Sequence, residues 1–199
     1  MHTTPEDGRE PTGSDFFIRC GDEPAPGRLP LHQGWQLRSG NPPSFSPRTS
    51  APDRGRSKFA IIPNGRDGEI WALNERALRE GRQAVTQAHR GEISFGQPRV
   101  HTYLDPLRRV PMEPLMFVKV DARREHLDAV LQELRSRGAR MQEIELQGRR
   151  VILRAQARLT ALLGFEDAVL ATSTHSAQVF AWLVRYEAAA ATAASLIEE

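Results

Sequence analysis

An α+β fold, with its packed part in the C-terminal half, is what this 199-residue sequence predicts, and three observations lead there. Proline is the first: ten of the fourteen lie within the first 63 residues, and none follows Pro114. Patterning is the second, because compact strand and helix periods alternate regularly only beyond that proline. Composition is the third. At 39% hydrophobic the chain falls below the roughly 45–50% of globular domains, so part of it is expected not to pack.

Residues 1–57 read as a disordered or low-order region. Proline and glycine recur through GDEPAPGRLP and SGNPPSFSPRTSAPDRGRS with no regular period, and such composition buries too little apolar surface to offset backbone entropy. Phe16, Phe17 and Ile18 in DFFIRC, with Trp35 and Leu37 in GWQLRS, form local apolar clusters inside it. Residues 58–112 follow as a short strand, turn, helix and connector. KFAIIP (58–63) is the strand, and Asn64-Gly65 and Asp67-Gly68 are hairpin-type dipeptides. The helix is expected over 71–89, with Asn74 as its cap and Leu78 and Val85 on its apolar face. Gly81 weakens it. The connector runs on to Pro114.

The domain proper is placed at 113–187. LMFVKV is a strand, and Arg123 to Arg137 an amphipathic helix with Leu127, Val130, Leu131 and Leu134 at i, i+3, i+4 and i+7. Gly138 stands at the left-handed C-cap position. ARMQEIELQ, with imperfect alternation of Met141, Ile144 and Leu146, turns at Gln147-Gly148 into RRVILRAQAR. LTALLGFEDAVLATST is a short helix with a glycine break, and AQVFAWLVRYE the last strand. Strand, helix, strand, strand, helix, strand is the ferredoxin-like split βαββαβ sandwich, a sheet with both helices on one face. Residues 188–199, rich in alanine, are expected to form a helical tail.

Composition also excludes chemistry. With 27 basic against 25 acidic side chains, the chain is not strongly polybasic. A single cysteine, Cys20, forms no internal disulfide, and the start lacks a basic stretch followed by an apolar core. A soluble, cytoplasmic protein without membrane contact is therefore expected. Its six histidines are scattered with no HExxH or CxxC partner, so no metal site is expected. His126 near Asp121, Glu125 and Asp128 reads as a solvated helix start, not an acid–base cluster. No GxxxxGK[ST] loop occurs. The expectation is a non-catalytic protein with no cofactor and no small-molecule substrate.

Glu113 to Glu187 resembles the C-terminal domain, domain V, of elongation factor G and related translational GTPases. The resemblance rests on EPLMFVKV, LDAVLQELRSRGARM, VILRAQARLTALLGFEDAVLATST and the closing FAWLVRYE, in order, over about 75 of the 199 residues. It implies a βαββαβ module and agrees with the pattern above. KFAIIPNGRDGEIWALNERALREG resembles a strand, turn and helix of the preceding domain IV, most of whose length has no counterpart here. The family carries Gly-Arg-Gly in the loop before the last strand, where this chain has Thr174-His175-Ser176-Ala177.

Arginines 135, 137, 140, 149, 150, 154 and 158 recur across the helix end and the hairpin, and guanidinium forks suit phosphates. Residues 115–187 nevertheless hold 11 basic and 9 acidic side chains, a net of +2, so a salt-bridged solvent face competes with RNA binding. Arg137, Arg140, Arg149, Arg150 and His175 are the candidate contacts to RNA or the ribosome. The resemblance implies a ribosome- or translation-associated protein, with rRNA and ribosomal proteins as partners. Two alternatives stand beside it: an interaction or dimerisation module that self-associates, and a truncated elongation-factor remnant without activity. Exposure of Phe180 and Trp182 on one face of the last strand would favour the interaction module.

Overall fold

A computed structural model of the chain describes residues 29–40, 58–89 and 91–189. The DFFIRC cluster, Cys20 and the tail from residue 190 onward lie outside these residues.

The first unit is an antiparallel sheet built from β1 (Leu31–Leu37), β2 (Phe59–Asn64), β3 (Asp67–Ala72) and β4 (Ile93–Phe95), in the order β2-β3-β1-β4. A short β5 (Arg99–Val100) also pairs with β1. Here the low-order assignment through residue 57 is corrected: Leu31–Leu37 form a strand inside the sheet, not a loose cluster. Leu31, Gln33, Trp35 and Leu37 alternate inward. The alternation is masked in the sequence because one inward position is polar; the Gln33 amide nitrogen donates to Gly96 O, while its buried oxygen has no partner among the described residues.

The expected second turn is also corrected. Asp67 and Gly68 lie in β3, and the hairpin turns at Gly65-Arg66. Gly68 pairs across the ladder with Trp35, and a Cβ there would meet the Trp35 ring at 2.6 Å. Glycine is required at 68 for close approach, not for turning. Helix α1 (Glu75–Gln87) starts later than expected because Trp71 and Ala72 finish β3. Asn74 caps it, its side-chain oxygen accepting from Ala77 N at 3.0 Å. Ala77, Leu78, Gly81 and Val85 are buried against the sheet.

The second unit is the split βαββαβ. Its elements are β7 (Pro111–Arg123), α2 (Leu127–Ser136), β8 (Arg140–Gln147), β9 (Arg150–Arg158), α3 (Leu159–Leu162), α4 (Phe165–Thr172) and β10 (Gln178–Ala188). All neighbours are antiparallel in the order β10-β7-β9-β8, and a short β6 (Tyr103–Leu104) pairs with the start of β7. Met116, Val118, Val120 and Ala122 of β7, with Val151, Leu153 and Ala155 of β9, meet Val130, Leu134, Phe165 and Val169 of the helices in one core. β7 begins at Pro111, ahead of LMFVKV. Both prolines are tolerated because β9 pairs only from Leu115 onward, so no ladder bond to β9 is lost at 111 or 114.

Two bulges account for the imperfect patterns. Register shifts between Met141 and Glu143 in β8, and between Leu183 and Arg185 in β10, each insert one residue. A 3-10 turn at Arg124–His126 precedes α2, and Gly138 (φ 66°) follows it.

The two units share one core cluster and a polar clasp. Both carboxylate oxygens of Glu75 accept from Gly164 N at 3.0 Å. Arg76 and Arg79 reach Glu166 at 2.5 and 2.9 Å. Asn74 Nδ2 donates to Ala181 O at 2.9 Å, and Arg76 to Val179 O at 3.3 Å. Those carbonyls lie on β10, the edge of its sheet. The N-terminus of α1 therefore covers an edge that would otherwise be free to pair with another chain.

Candidate nucleic-acid interface

One end of the C-terminal sheet collects cations. β7 stops there, β10 starts there, and β8 turns into β9 there. The register sets Arg123 directly opposite Arg150, and Arg124 N donates to Arg149 O at 2.9 Å. Arg123, Arg124, Gly148, Arg149 and Arg150, with Glu125, line one open depression.

Like charges directly opposite on a ladder destabilise it. Two acids relieve part of the repulsion. Arg150 Nε donates to Asp121 Oδ1 at 2.7 Å, and Arg123 Nη1 lies 3.5 Å from Glu125 Oε1. The second pair is largely exposed on both sides and contributes little. Arg124 and Arg149 are exposed and make no ion pair with the described residues. The depression therefore has more positive charge than its own acids neutralise, in a form that fits phosphate.

The expected contact residues divide between the two ends of the domain. Arg149 and Arg150 line the cationic depression, and His175 belongs to the loop that opens into β10 at the same end. Arg140 is exposed at the start of β8, toward the other end. Arg137 is committed internally: its Nε donates to Glu133 at 2.7 Å, and its Nη1 to the carbonyls of Ala161 and Leu163 at 2.7 and 2.8 Å. It stitches α2 to the α3–α4 turn.

The remaining arginines also divide. Arg154 bridges Glu143 and Glu145, whose carboxyl is held below its ordinary value chiefly by the Gln147 amide and then by Arg154. Arg158 pairs with the buried Glu113 at 3.1 Å. The salt-bridged face anticipated from the charge count is real for these two.

Arg123 and Arg124 are not among the contacts expected from the sequence, and their segment, Asp121 to Glu125, has no glycine. A signal was present. In a βαββαβ sheet the first and third strands are antiparallel neighbours, so the end of the first lies beside the hairpin before the third.

The loop before β10 is left-handed at two adjacent non-glycine residues, Thr174 (φ 49°) and His175 (φ 61°). Hydrogen bonds hold it there. His175 N donates to Leu170 O at 2.7 Å, and the Ser173 hydroxyl to Val169 O at 2.7 Å while accepting from Ala177 N at 3.3 Å. His126 lies 3.5 Å from Glu125 at the start of α2. Among the described residues, no group of three or more metal-ligating side chains comes together, and no helix is long and apolar enough to cross a membrane. Phe180 and Trp182 are 42% and 40% exposed, the condition set above for an interaction surface.

Residues 110–195 match the family model described as the elongation factor G C-terminus. No curated protein matches the chain. Among solved structures, the crystal structure of ttk003000868 from Thermus thermophilus shares the fold, at TM-score 0.52 and 12% identity. The similarity covers 86% of this chain and 44% of that one, so the chain spans less than half of that protein's length. The family match and the βαββαβ sheet coincide: the sheet of residues 111–188 lies within the stretch that is similar to the elongation factor G C-terminus.

Proposed function

We propose that this chain is a non-catalytic, translation-associated protein that contacts ribosomal RNA through the cationic end of its C-terminal domain. The observation that carries the reading is the depression where Arg123 opposes Arg150 while Arg124 and Arg149 have no acidic partner among the described residues. A ladder arranged this way is less stable than a neutral one, and phosphate oxygens relieve the repulsion. The elongation-factor character of the domain supplies the setting, and fold likeness alone would be a weak warrant for function. Of the expected contacts, Arg149 and Arg150 line this surface, and His175 stands in the loop at the same end of the sheet. Arg123 and Arg124 join them, Arg140 stands apart, and Arg137 has a structural role. No nucleotide step is assigned to the chain.

Sedimentation with purified ribosomes tests the reading. The protein pellets with ribosomes at low salt and is released as salt rises, because phosphate contacts displace counterions. If it stays in the supernatant at low salt, the reading fails.

A second reading rests on the exposed Phe180 and Trp182, which suit a domain that associates with a second copy of itself. It predicts a gel-filtration mass of a dimer, unchanged by RNase treatment.

A further inference from the structure

We propose that the helix-free face of the C-terminal sheet binds single-stranded RNA, stacking bases on Phe117, Phe180 and Trp182 and holding phosphates with Lys58 and Lys119. The register of β7 and β10 sets Phe117 opposite Trp182 and Lys119 opposite Phe180. The Phe117 and Trp182 rings stack at 4.5 Å and 25°. These are large rings left accessible on a regular sheet, and every base has a flat face that can stack on such a ring regardless of sequence. Beside them, where β10 meets the first turn of α1, opens a cleft of about 440 Å³.

Charge selects the occupant. The chain has only two lysines against 25 arginines, and both line this one cleft. Neither makes an ion pair with the described residues. The acids nearby are mostly spoken for: Glu166 is held by Arg76 and Arg79, Glu75 faces Gly164 N, and across the sheet Glu143 and Glu145 are held by Arg154. Of the cleft acids, Glu75 and Glu80 have no ion pair among the described residues, and Glu75 is engaged by the Gly164 N–H. A second copy packed on this face would add two further lysines to it, which opposes that occupant. An anion carrying flat aromatic groups satisfies both the rings and the ammonium groups.

Tryptophan fluorescence of the full chain, titrated with an oligoadenylate single strand at low salt, tests this. Trp35 and Trp71 are buried at 3% and 8% exposure, so quenching reports Trp182. The expected result is saturable quenching by the single strand and weak quenching by the same sequence in a duplex. Trp182→Ala lowers affinity for a labelled strand about tenfold, within the range for loss of one stacked base. Trp182→Phe retains most of the binding while losing the signal. The Lys58→Glu/Lys119→Glu pair, both surface changes, weakens binding further, and Arg135→Ala does not. Absence of quenching, undiminished binding by the lysine pair, or a concentration-dependent dimer that buries Trp182 would overturn the proposal. The inference does not rest on the ribosome reading: one is read with a free oligonucleotide and the other with ribosomes, so either fails alone.

Discussion

Gly81 sits in the middle of α1, where alanine would ordinarily favour the helix by about 1 kcal/mol. A Cβ at that position would meet Ile70 Cγ2 at 2.5 Å and the Phe59 ring at 3.3 Å, so the helix lies too close to the sheet to accept one. Overpacking of this kind costs roughly 1–3 kcal/mol and outweighs the propensity gain. Gly81→Ala is therefore expected to lower the urea midpoint, and a raised midpoint would show that α1 stands further from β3 than described. Thr174 and His175 carry the opposite burden. Each holds a left-handed conformation that costs an L-residue about 1–2 kcal/mol, and the Ser173 hydroxyl and the Leu170 carbonyl keep the loop in place against it. The sequence gives no sign of left-handed backbone at these two non-glycine residues, and it is visible only in the structure.

The clasp between α1 and the α3–α4 turn joins residues about ninety positions apart, so no local pattern announces it. Glu75 is its most constrained member. Burial, the largest influence, pushes its carboxyl above the ordinary 4.5, against the Gly164 N–H, which favours the carboxylate. The folded chain thus keeps a proton on Glu75 at pH values where the unfolded chain has lost it. Stability contributed by this group falls as pH rises from 4.5 through the raised value. Glu75→Gln keeps an acceptor for Gly164 and removes that fall, so above this window the variant equals or exceeds the parent in stability. Urea unfolding at a series of pH values checks it, and an identical pH slope in both proteins would contradict it. What was legible at this scale followed from strong local signals: the Leu127–Leu134 stripe, the Asn74 cap and the turn at Gly148. β1 was not legible, because Gln33 interrupts its apolar alternation and its neighbours in sequence are rich in proline and glycine. The bulges at Gln142 and Val184 likewise blurred period-two patterns that the register explains.

Two units share one hydrophobic core, and the C-terminal one is the part of the molecule whose order of elements was readable in advance. Both units pair strands across long gaps, with Ala188 opposite Met112 in one and Leu31 opposite Ala72 in the other. What separates them is the clear local periodicity of the C-terminal elements against the interrupted alternation of β1. The candidate site divided in the same way. Hairpin-tip arginines 149 and 150 stood out by position, while Arg123 and Arg124 joined them only through the β7–β9 register, and Arg137 turned out to be a structural stitch. Central to the account is the claim that the arginine end of the C-terminal domain is what grips RNA on the ribosome. Ribosome co-sedimentation of the parent beside Arg124→Glu/Arg149→Glu, two exposed changes that break no ion pair among the described residues, tests it most directly. The account predicts that the parent pellets at low salt and that the double variant loses at least tenfold in affinity while keeping its unfolding midpoint. Equal pelleting of the two proteins would contradict it.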